Sequence, residues 1–162
     1  MVFVTVGTHE QPFDRLVRAV DGLVADGALT EPVFVQTGYC TYEPEHCEWE
    51  RFVPAPEMGR RMEEADVVVT HGGPSSFVEA MAAGKVPVVV PRLSRFGEHV
   101  NDHQDAFVRL VAERLGGIVP VYDVADLGGA IEEARRLSAL GAGFKSNNAD
   151  FCAELCRLIG SL

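Results

Sequence analysis

Residues Ala65 to Pro91 read ADVVVTHGGPSSFVEAMAAGKVPVVVP, and this stretch decides the fold. Val67 to Val69 form a β-branched run that is typical of a strand buried on both faces. A glycine turn follows, and Pro74 suits the first helical position, where its missing N–H costs nothing. Gly84 ends the helix, and Val86 to Val90 form a second apolar strand. The stretch therefore predicts a strand, a tight turn, a short helix and a strand.

The start of this predicted helix carries the chemistry. The backbone N–H groups of Ser75 to Phe77 are expected to lack acceptors within the helix, and with the helix dipole they attract an anion such as a phosphate. Gly72 and Gly73 remove side chains that would keep a ligand from the backbone. Glu79 lies about one turn further on, where a carboxylate can accept hydrogen bonds from a vicinal diol such as a ribose. An ordinary turn with a solvated Glu79 is the alternative.

The rest of the chain continues the alternation of strands and helices. The further predicted strands are Val2 to Val6, Val33 to Gln36, Arg51 to Val53 and Ile118 to Val121. The further predicted helices are Pro12 to Ala25, Pro56 to Ala65, one through Phe107 and Leu115, one from Leu127 to Leu137, and a closing helix over 149–162. The pattern predicts a single α/β domain over 1–162, with a mostly parallel sheet and helices on both faces.

Four predicted loops follow strands and should converge on one rim of such a sheet, where ligands bind. They are Gly7 to Gln11, Thr37 to Tyr39, His71 to Ser76 and Arg92 to Gln104.

The composition limits the possible partners. The 162 residues carry a formal net charge of −10, which argues against a nucleic-acid binder and against a polybasic membrane anchor. A nucleotide ligand remains compatible, because amides and a helix dipole hold phosphates without many lysines. Apolar runs stay short and no basic segment follows Met1, so we expect a cytoplasmic chain.

The four cysteines form no disulfide framework. Cys152 and Cys156 are one turn apart on a predicted helix, and His46 adjoins Cys47, which would allow a zinc site. No close CxxC pair is present, so small buried side chains are the favoured interpretation for Cys40 and the other three.

The glycine-turn motif resembles a known family. HGGPSSFVEAMAAGKVPVVVP from His71, followed by EHVNDHQ from Glu98 to Gln104, is similar to the C-terminal, nucleotide-sugar-binding domain of the glycosyltransferase family 28 group. The opening FVTVGTHEQPFDRLV, Phe3 to Val17, looks more like the soluble subunits of split, two-component members. These include the catalytic subunit of the dolichol-linked N-acetylglucosaminyltransferase and bacterial exopolysaccharide counterparts. The resemblance covers about Val2 to Tyr122.

That resemblance implies a Rossmann-like domain equivalent to the C-terminal half of a GT-B glycosyltransferase, and it implies a donor site. The positions that match the family's donor-binding motif are Gly7, Thr8, His71, Gly72, Gly73, Ser75, Ser76, Glu79, Asp102 and Gln104. By the resemblance, Glu79 holds the ribose hydroxyls and Gln104 lies near the phosphates or the sugar. Asp102 also fits helix capping, and His71 also fits a structural histidine at a strand end.

The general base is less determined. His9 follows the first strand and could act near neutral pH, with Glu10 orienting it or acting instead. Helix capping is the alternative for both, and in larger relatives the base is thought to belong to the other domain. Arg92 and Arg95 could neutralise a diphosphate or receive an anionic lipid, although surface solvation is the default expectation.

The resemblance as a whole implies an inverting transfer from a UDP-sugar to a lipid-linked acceptor, in polysaccharide or glycolipid synthesis. Full-length relatives carry the acceptor on a second domain, so a membrane-anchored partner subunit is expected here, docked through the closing helix. No metal or cofactor is required by this scheme. A non-catalytic enhancer subunit and a UDP-sugar hydrolysing, epimerase-like enzyme are the alternatives.

Overall fold

The computed structural model describes residues 1–143 and 156–157. Its strands are β1 (Val2–Thr5), β2 (Val33–Gln36), β3 (Glu48–Glu50), β4 (Val67–His71), β5 (Val88–Val90) and β6 (Val119–Pro120). Its main helices are α1 (Asp14–Ala25), α2 (Ala55–Glu64), α3 (Pro74–Ala82), α4 (His103–Arg114) and α5 (Leu127–Ala139). The predicted alternation of strands and helices is confirmed.

The six strands form one parallel sheet in the order β3-β2-β1-β4-β5-β6. The chain first builds outward from β1 to β3, then returns to the other side of β1 and builds outward again from β4. The order therefore reverses between β1 and β4. In open parallel sheets this reversal opens a crevice at the carboxyl ends of the two strands.

Helices cover both faces, as the apolar strands require. Alternate strand residues point to opposite faces: Val2 and Val4 pack in the core with α1 and α5, whereas Phe3 packs in the core with α2. A third cluster places Phe77 of α3 against Phe107 of α4. The sheet is thus held rigidly between two helical layers, and its carboxyl edge is left to the loops.

One predicted strand was misplaced. The edge strand lies at Glu48–Glu50 and pairs with β2, whereas we expected it at Arg51 to Val53. Glu48 and Glu50 are exposed while Trp49 packs against the core, so the two-residue alternation of a half-buried edge strand falls on these residues.

The predicted closing helix over 149–162 lies outside the described residues apart from Cys156 and Arg157, which are helical and exposed. The expectation that the cysteines are buried holds for Cys40 and is wrong for Cys156, and Cys47 is half-buried. Within residues 1–143 and 156–157, no helix has the length and apolar character needed to cross a bilayer.

Candidate functional site

A cleft of about 470 Å³ opens at the carboxyl edge of the sheet, where the strand order reverses. It lies between the loops that follow β1 and β4, and α2 and α3 form one wall. The lining residues are Thr5, Gly7, Thr8, His9, Gln36, Met58, Met62, His71, Ser75, Ser76, Glu79, His99 and Gln104. Of the residues predicted from the sequence, all but Gly72, Gly73, Glu10 and Asp102 line this cleft.

The N-terminus of α3 faces the cleft with unpaired donors. Gly73 is the N-cap and no side chain caps the helix. Among the described residues, nothing accepts from the N–H groups of Ser75 and Ser76, and Pro74 has no N–H. The prediction that Phe77 is also free was wrong, because the N-cap carbonyl accepts the first intrahelical hydrogen bond from the residue four positions on. Two amides and the positive end of the helix dipole are thus available to an anion.

The bend at Gly7 is built differently. Gly7 has φ of +76°, a conformation that other residues rarely adopt. Its N–H donates to the Thr5 hydroxyl at 3.2 Å, and its carbonyl accepts from the side-chain amide of Gln36 at 3.1 Å. Thr5 in turn donates to Gln36 Oε1 at 2.6 Å. Gly7 matches the family's donor-binding motif, but its amide is already engaged and is not available to a phosphate.

The imidazole of His71 lies between the two glycine bends. A Cβ added to Gly7 would lie 2.5 Å from His71 Cε1, and one added to Gly73 would collide with His71 Nε2. Glycine is therefore needed at both bends to admit this ring, and the two bends are brought together across the reversal. Burial, and secondarily the positive charge of Arg92, lower the pKa of His71 to about 4. The ring is therefore neutral near pH 7, and its buried Nδ1 has no hydrogen-bond partner among the described residues.

Glu79 lies on the cleft wall formed by α2 and α3. Its side chain is exposed, and Oε1 lies 3.8 Å from the position of a Cβ built on Gly59 of α2. Met58 and Met62 of α2 complete this wall. A carboxylate beside an apolar wall, one turn from free amides, suits a sugar hydroxyl pair next to a phosphate.

Gln104 and Asp102 are separated by the structure. Gln104 lies in the first turn of α4, and its Oε1 accepts from the Arg92 N–H at 3.1 Å, which leaves its NH₂ group for the cleft. A Cβ on Gly72 would press on Gln104 and Val108, so Gly72 allows this close packing. Asp102 accepts from the Ser94 N–H and hydroxyl instead, and it lines a separate polar groove. The contact of Asp102 with the donor stays a prediction, and the position of Asp102 in this groove does not favour it.

His9 and His99 form a second wall. Their rings stack with centroids 4.6 Å apart, and His103 meets His99 edge-on at 4.5 Å. His9 Nε2 lies 2.9 Å from Gln11 Oε1, an arrangement in which Nε2–H donates and Nδ1 remains an acceptor. Glu10 is exposed and does not line the cleft. Only His9 of the two predicted base candidates is therefore placed to act.

Arg92 corrects an expectation. Surface solvation was the default for this residue, yet it is 1% exposed and is the largest of the fully buried side chains. Its guanidinium donates to the carbonyls of Val6, Gln11 and Glu98. Arg95 is exposed, as expected.

Thr5, Gln36, Met58, Met62 and His99 line the cleft without having been assigned to the site from the sequence. Thr5 and Gln36 carried a signal, because each is a polar residue that ends a buried strand. His99 belongs to the EHVNDHQ motif and had no assigned role. Within residues 1–143 and 156–157, no group of three or more histidine, cysteine or acidic side chains is arranged to hold a metal ion.

The comparisons with known proteins agree with this architecture. The family model described as glycosyltransferase family 28 C-terminal domain matches residues 1–125. No curated protein sequence matches the chain.

Among solved structures, similar folds occur in the glycotransferase of kitacinnamycin, the spinosyn forosaminyltransferase SpnP and the glycosyltransferase SnogD from Streptomyces nogalater. The kitacinnamycin protein gives a TM-score of 0.62 at 23% identity, over 87% of this chain and 36% of that one. SpnP gives 0.59 at 17% identity, over 88% and 36%. SnogD gives 0.55 at 17% identity, over 97% and 43%. The chain thus spans well under half the length of these proteins, and the likeness shows a shared fold.

Proposed function

Because the chain belongs to the glycosyltransferase family 28 C-terminal domain family, we propose that it binds a UDP-sugar and is the donor-binding, catalytic subunit of a two-component inverting glycosyltransferase. One observation carries the proposal. The open N-terminus of α3 and the Glu79 carboxylate lie on the same cleft, at the reversal of the strand order. An anion site and a diol acceptor one helical turn apart match the diphosphate and the ribose of a nucleotide sugar.

In the proposed reaction, an acceptor hydroxyl attacks the anomeric carbon, and the bond from that carbon to the diphosphate oxygen breaks. The electron pair leaves with UDP, so negative charge grows on the phosphates. The free amides of Ser75 and Ser76 and the helix dipole are fixed in advance to stabilise that charge. The acceptor proton passes to His9, whose Nδ1 is the free acceptor of the ring.

The acceptor is proposed to be lipid-linked and to be presented by a membrane-anchored partner, which would recruit this chain to the inner face of the membrane. The chain spans 36 to 43% of the solved chains it resembles, which is compatible with an acceptor site supplied by another polypeptide.

Calorimetric titration of UDP tests the donor site. We expect Glu79→Ala to weaken UDP binding by about tenfold to a hundredfold, because hydrogen bonds to a charged group are lost, with the melting temperature unchanged at this exposed position. Glu113→Ala, which removes an equally exposed carboxylate away from the cleft, is the matched control. Wild-type affinity in Glu79→Ala would remove the central support of the proposal.

A transfer assay tests the catalytic part. Purified chain is mixed with membranes that contain lipid-linked saccharides and with a panel of labelled UDP-sugars. Label should reach the lipid fraction only when chain and membranes are both present, and His9→Ala should abolish transfer while leaving UDP affinity largely intact. Transfer by His9→Ala at the wild-type rate would assign the base to the partner. Sugar release without any acceptor would favour the hydrolysing, epimerase-like alternative instead.

A further inference from the structure

The buried guanidinium of Arg92 joins two of the loops that border the cleft, the one after β1 and the one after β5. Nη2 donates to the carbonyl of Val6 at 2.8 Å, and Nη1 donates to those of Gln11 at 2.7 Å and Glu98 at 3.1 Å. Val6 directly precedes the Gly7 bend, and Glu98 directly precedes His99. Two of the three hydrogen bonds therefore fix the backbone next to a residue that lines the cleft, and the third holds the end of the loop after β1.

The main chain of Arg92 adds a fourth connection. Its N–H donates to Gln104 Oε1, which orients the Gln104 amide toward the cleft. The guanidinium carbon lies 4.8 Å from the centre of the Phe13 ring, which packs beneath it in the core. One residue thus ties together the loop after β1, the loop after β5 and the start of α4.

In the part of the chain that the structure describes, no carboxylate accepts a hydrogen bond from the Arg92 guanidinium. Glu98 is the acid beside it, but both carboxylate oxygens of Glu98 accept from Arg15, at 2.8 and 2.9 Å, and one also accepts from the Leu93 N–H at 3.0 Å. Two guanidiniums therefore share one carboxylate in a buried cluster. Arg92 Nε also lacks a hydrogen-bond partner among the described residues. Within the described residues, three carbonyl dipoles and the shared Glu98 carboxylate offset the second positive charge, and burying a charge with so little compensation is costly.

We propose that Arg92 is a positioning residue of the donor site, which aligns the loops around the cleft and places a fixed positive charge behind them for the diphosphate. The proposal rests on the proposed function, because it takes a nucleotide diphosphate as the ligand. Arg92 does not contact the ligand in this scheme. It acts through Gly7, His99 and Gln104, and its field reaches the cleft through a buried, poorly screened path.

The same charge acts on two histidines of the cleft. The positive charge of Arg92 is, after burial, the second cause that lowers the pKa of His71, and it also contributes to the lowered pKa of His99. Both histidines line the cleft, so a diphosphate bound there lies within reach of the same charge.

Two substitutions separate charge from alignment. Arg92→Met removes the charge and all three carbonyl contacts, whereas Arg92→Lys keeps the charge and reaches fewer carbonyls. Measured well below the melting temperature, UDP affinity should fall by about tenfold or more in Arg92→Met and by a smaller factor in Arg92→Lys. Ile131→Ala, a core truncation in α5 away from the cleft, is the control for general destabilisation, and it should bind UDP as the wild type does.

The imidazole titration of His71, followed by NMR, provides a readout that a purely structural role would not move. The His71 pKa should rise in Arg92→Met and stay near its wild-type value in Arg92→Lys. This readout needs no ligand, so it remains decisive if the wild type fails to bind UDP, a result that would count against the proposed function alone. If Arg92→Met does not fold, the proposal is supported by Arg92→Lys, provided that its UDP affinity is reduced and its His71 pKa is unchanged. Wild-type UDP affinity in either soluble variant, an equal loss in Ile131→Ala, or an unchanged His71 pKa in Arg92→Met would overturn it.

Discussion

The two glycine bends at the cleft look alike in the sequence and differ in the structure. Each follows a central strand and precedes a helix, and each borders the imidazole of His71. At Gly7 both backbone polar groups are occupied, by Thr5 and Gln36. After Gly73 the helix begins at Pro74, the free amides of Ser75 and Ser76 follow directly, and no side chain of the described residues caps them. One bend therefore shapes the site, and the other leaves donors for a ligand.

This difference shows that a glycine turn is not by itself a phosphate site. What matters is whether the surrounding side chains already satisfy its amides. Thr5 and Gln36, both fully buried strand ends, decide the outcome at the first bend.

The largest expected effect comes from closing the first bend. Gly7→Ala places a side chain at φ of +76° and presses a Cβ onto His71, so we expect the free energy of unfolding to fall by about 2–5 kcal/mol. Urea denaturation measures the loss. Gly129→Ala in α5 is the control, because nothing lies within 4 Å of its added Cβ, and it should be neutral or stabilising. A tolerated Gly7→Ala would mean that His71 does not need the space.

The ring between the bends should make the fold sensitive to acid. The folded pKa of His71, about 4, lies below the unfolded value near 6.5, so the unfolded chain takes up the proton first. Its contribution is fully present above pH 6.5 and is lost as the pH falls toward 4, to a total of about 3 kcal/mol. Thermal melts between pH 7 and 4 should show this loss, and the melting temperature of His71→Asn should fall less steeply with decreasing pH than that of the wild type. If the melting temperatures of the two proteins fell equally steeply with pH, the His71 ring would be solvated.

Acid acts on a second region in a different window. Burial disfavours the charged form of Asp21, but hydrogen bonds from Tyr42, His46 and Glu45 outweigh it and lower its pKa to about 2. Its contribution is lost only below about pH 4. The loss between pH 6.5 and 4 can therefore be attributed to His71 by the comparison with His71→Asn.

A smaller loss of stability is expected from removing the Thr5 hydroxyl, which holds the Gly7 bend. Thr5→Val leaves the Gly7 N–H and Gln36 Oε1 without their partner, which should cost about 1–3 kcal/mol of stability. The control Thr8→Val changes an exposed hydroxyl three residues along and should stay within about 0.5 kcal/mol. If both variants are equally stable, the Gly7 amide is not held by Thr5, and the contrast between the bends disappears.

The smallest change is one of exchange rates, without any change in stability. In the free protein, the Gly7 amide should be protected from hydrogen exchange, whereas those of Ser75 and Ser76 should exchange quickly. Saturating UDP should slow the two serine amides by about tenfold and leave Gly7 as it was. Slowing at Gly7 instead would reverse the roles of the two bends.

Much of the fold follows from local pattern. The β-branched run of β4 and the apolar spacing of α1 predict their elements closely, because a strand buried on both faces and an amphipathic helix each have a distinct periodicity. The short edge strand was placed three residues late, since an exposed edge has little apolar signal and its pairing with β2 is a tertiary choice.

The sequence predicted only part of the candidate site, because tertiary contacts decide the rest. The motif around His71 and the strand-end loops indicate which segments meet, since the carboxyl ends of parallel strands share one edge. They do not indicate which amides are free, that Glu10 and Asp102 point elsewhere, or that Arg92 is buried.

The sequence by itself determined the parallel sheet, the two glycine bends and the placement of Glu79 one turn after the start of α3, because these depend on the spacing of neighbours along the chain. Only the tertiary structure decided that His71 lies between the bends, that Thr5 and Gln36 occupy the Gly7 amide and carbonyl, and that Arg92 holds three carbonyls beneath the cleft. Those outcomes depend on which polar groups meet across distant segments, and a buried polar group takes whichever partner the packed chain brings within hydrogen-bond distance.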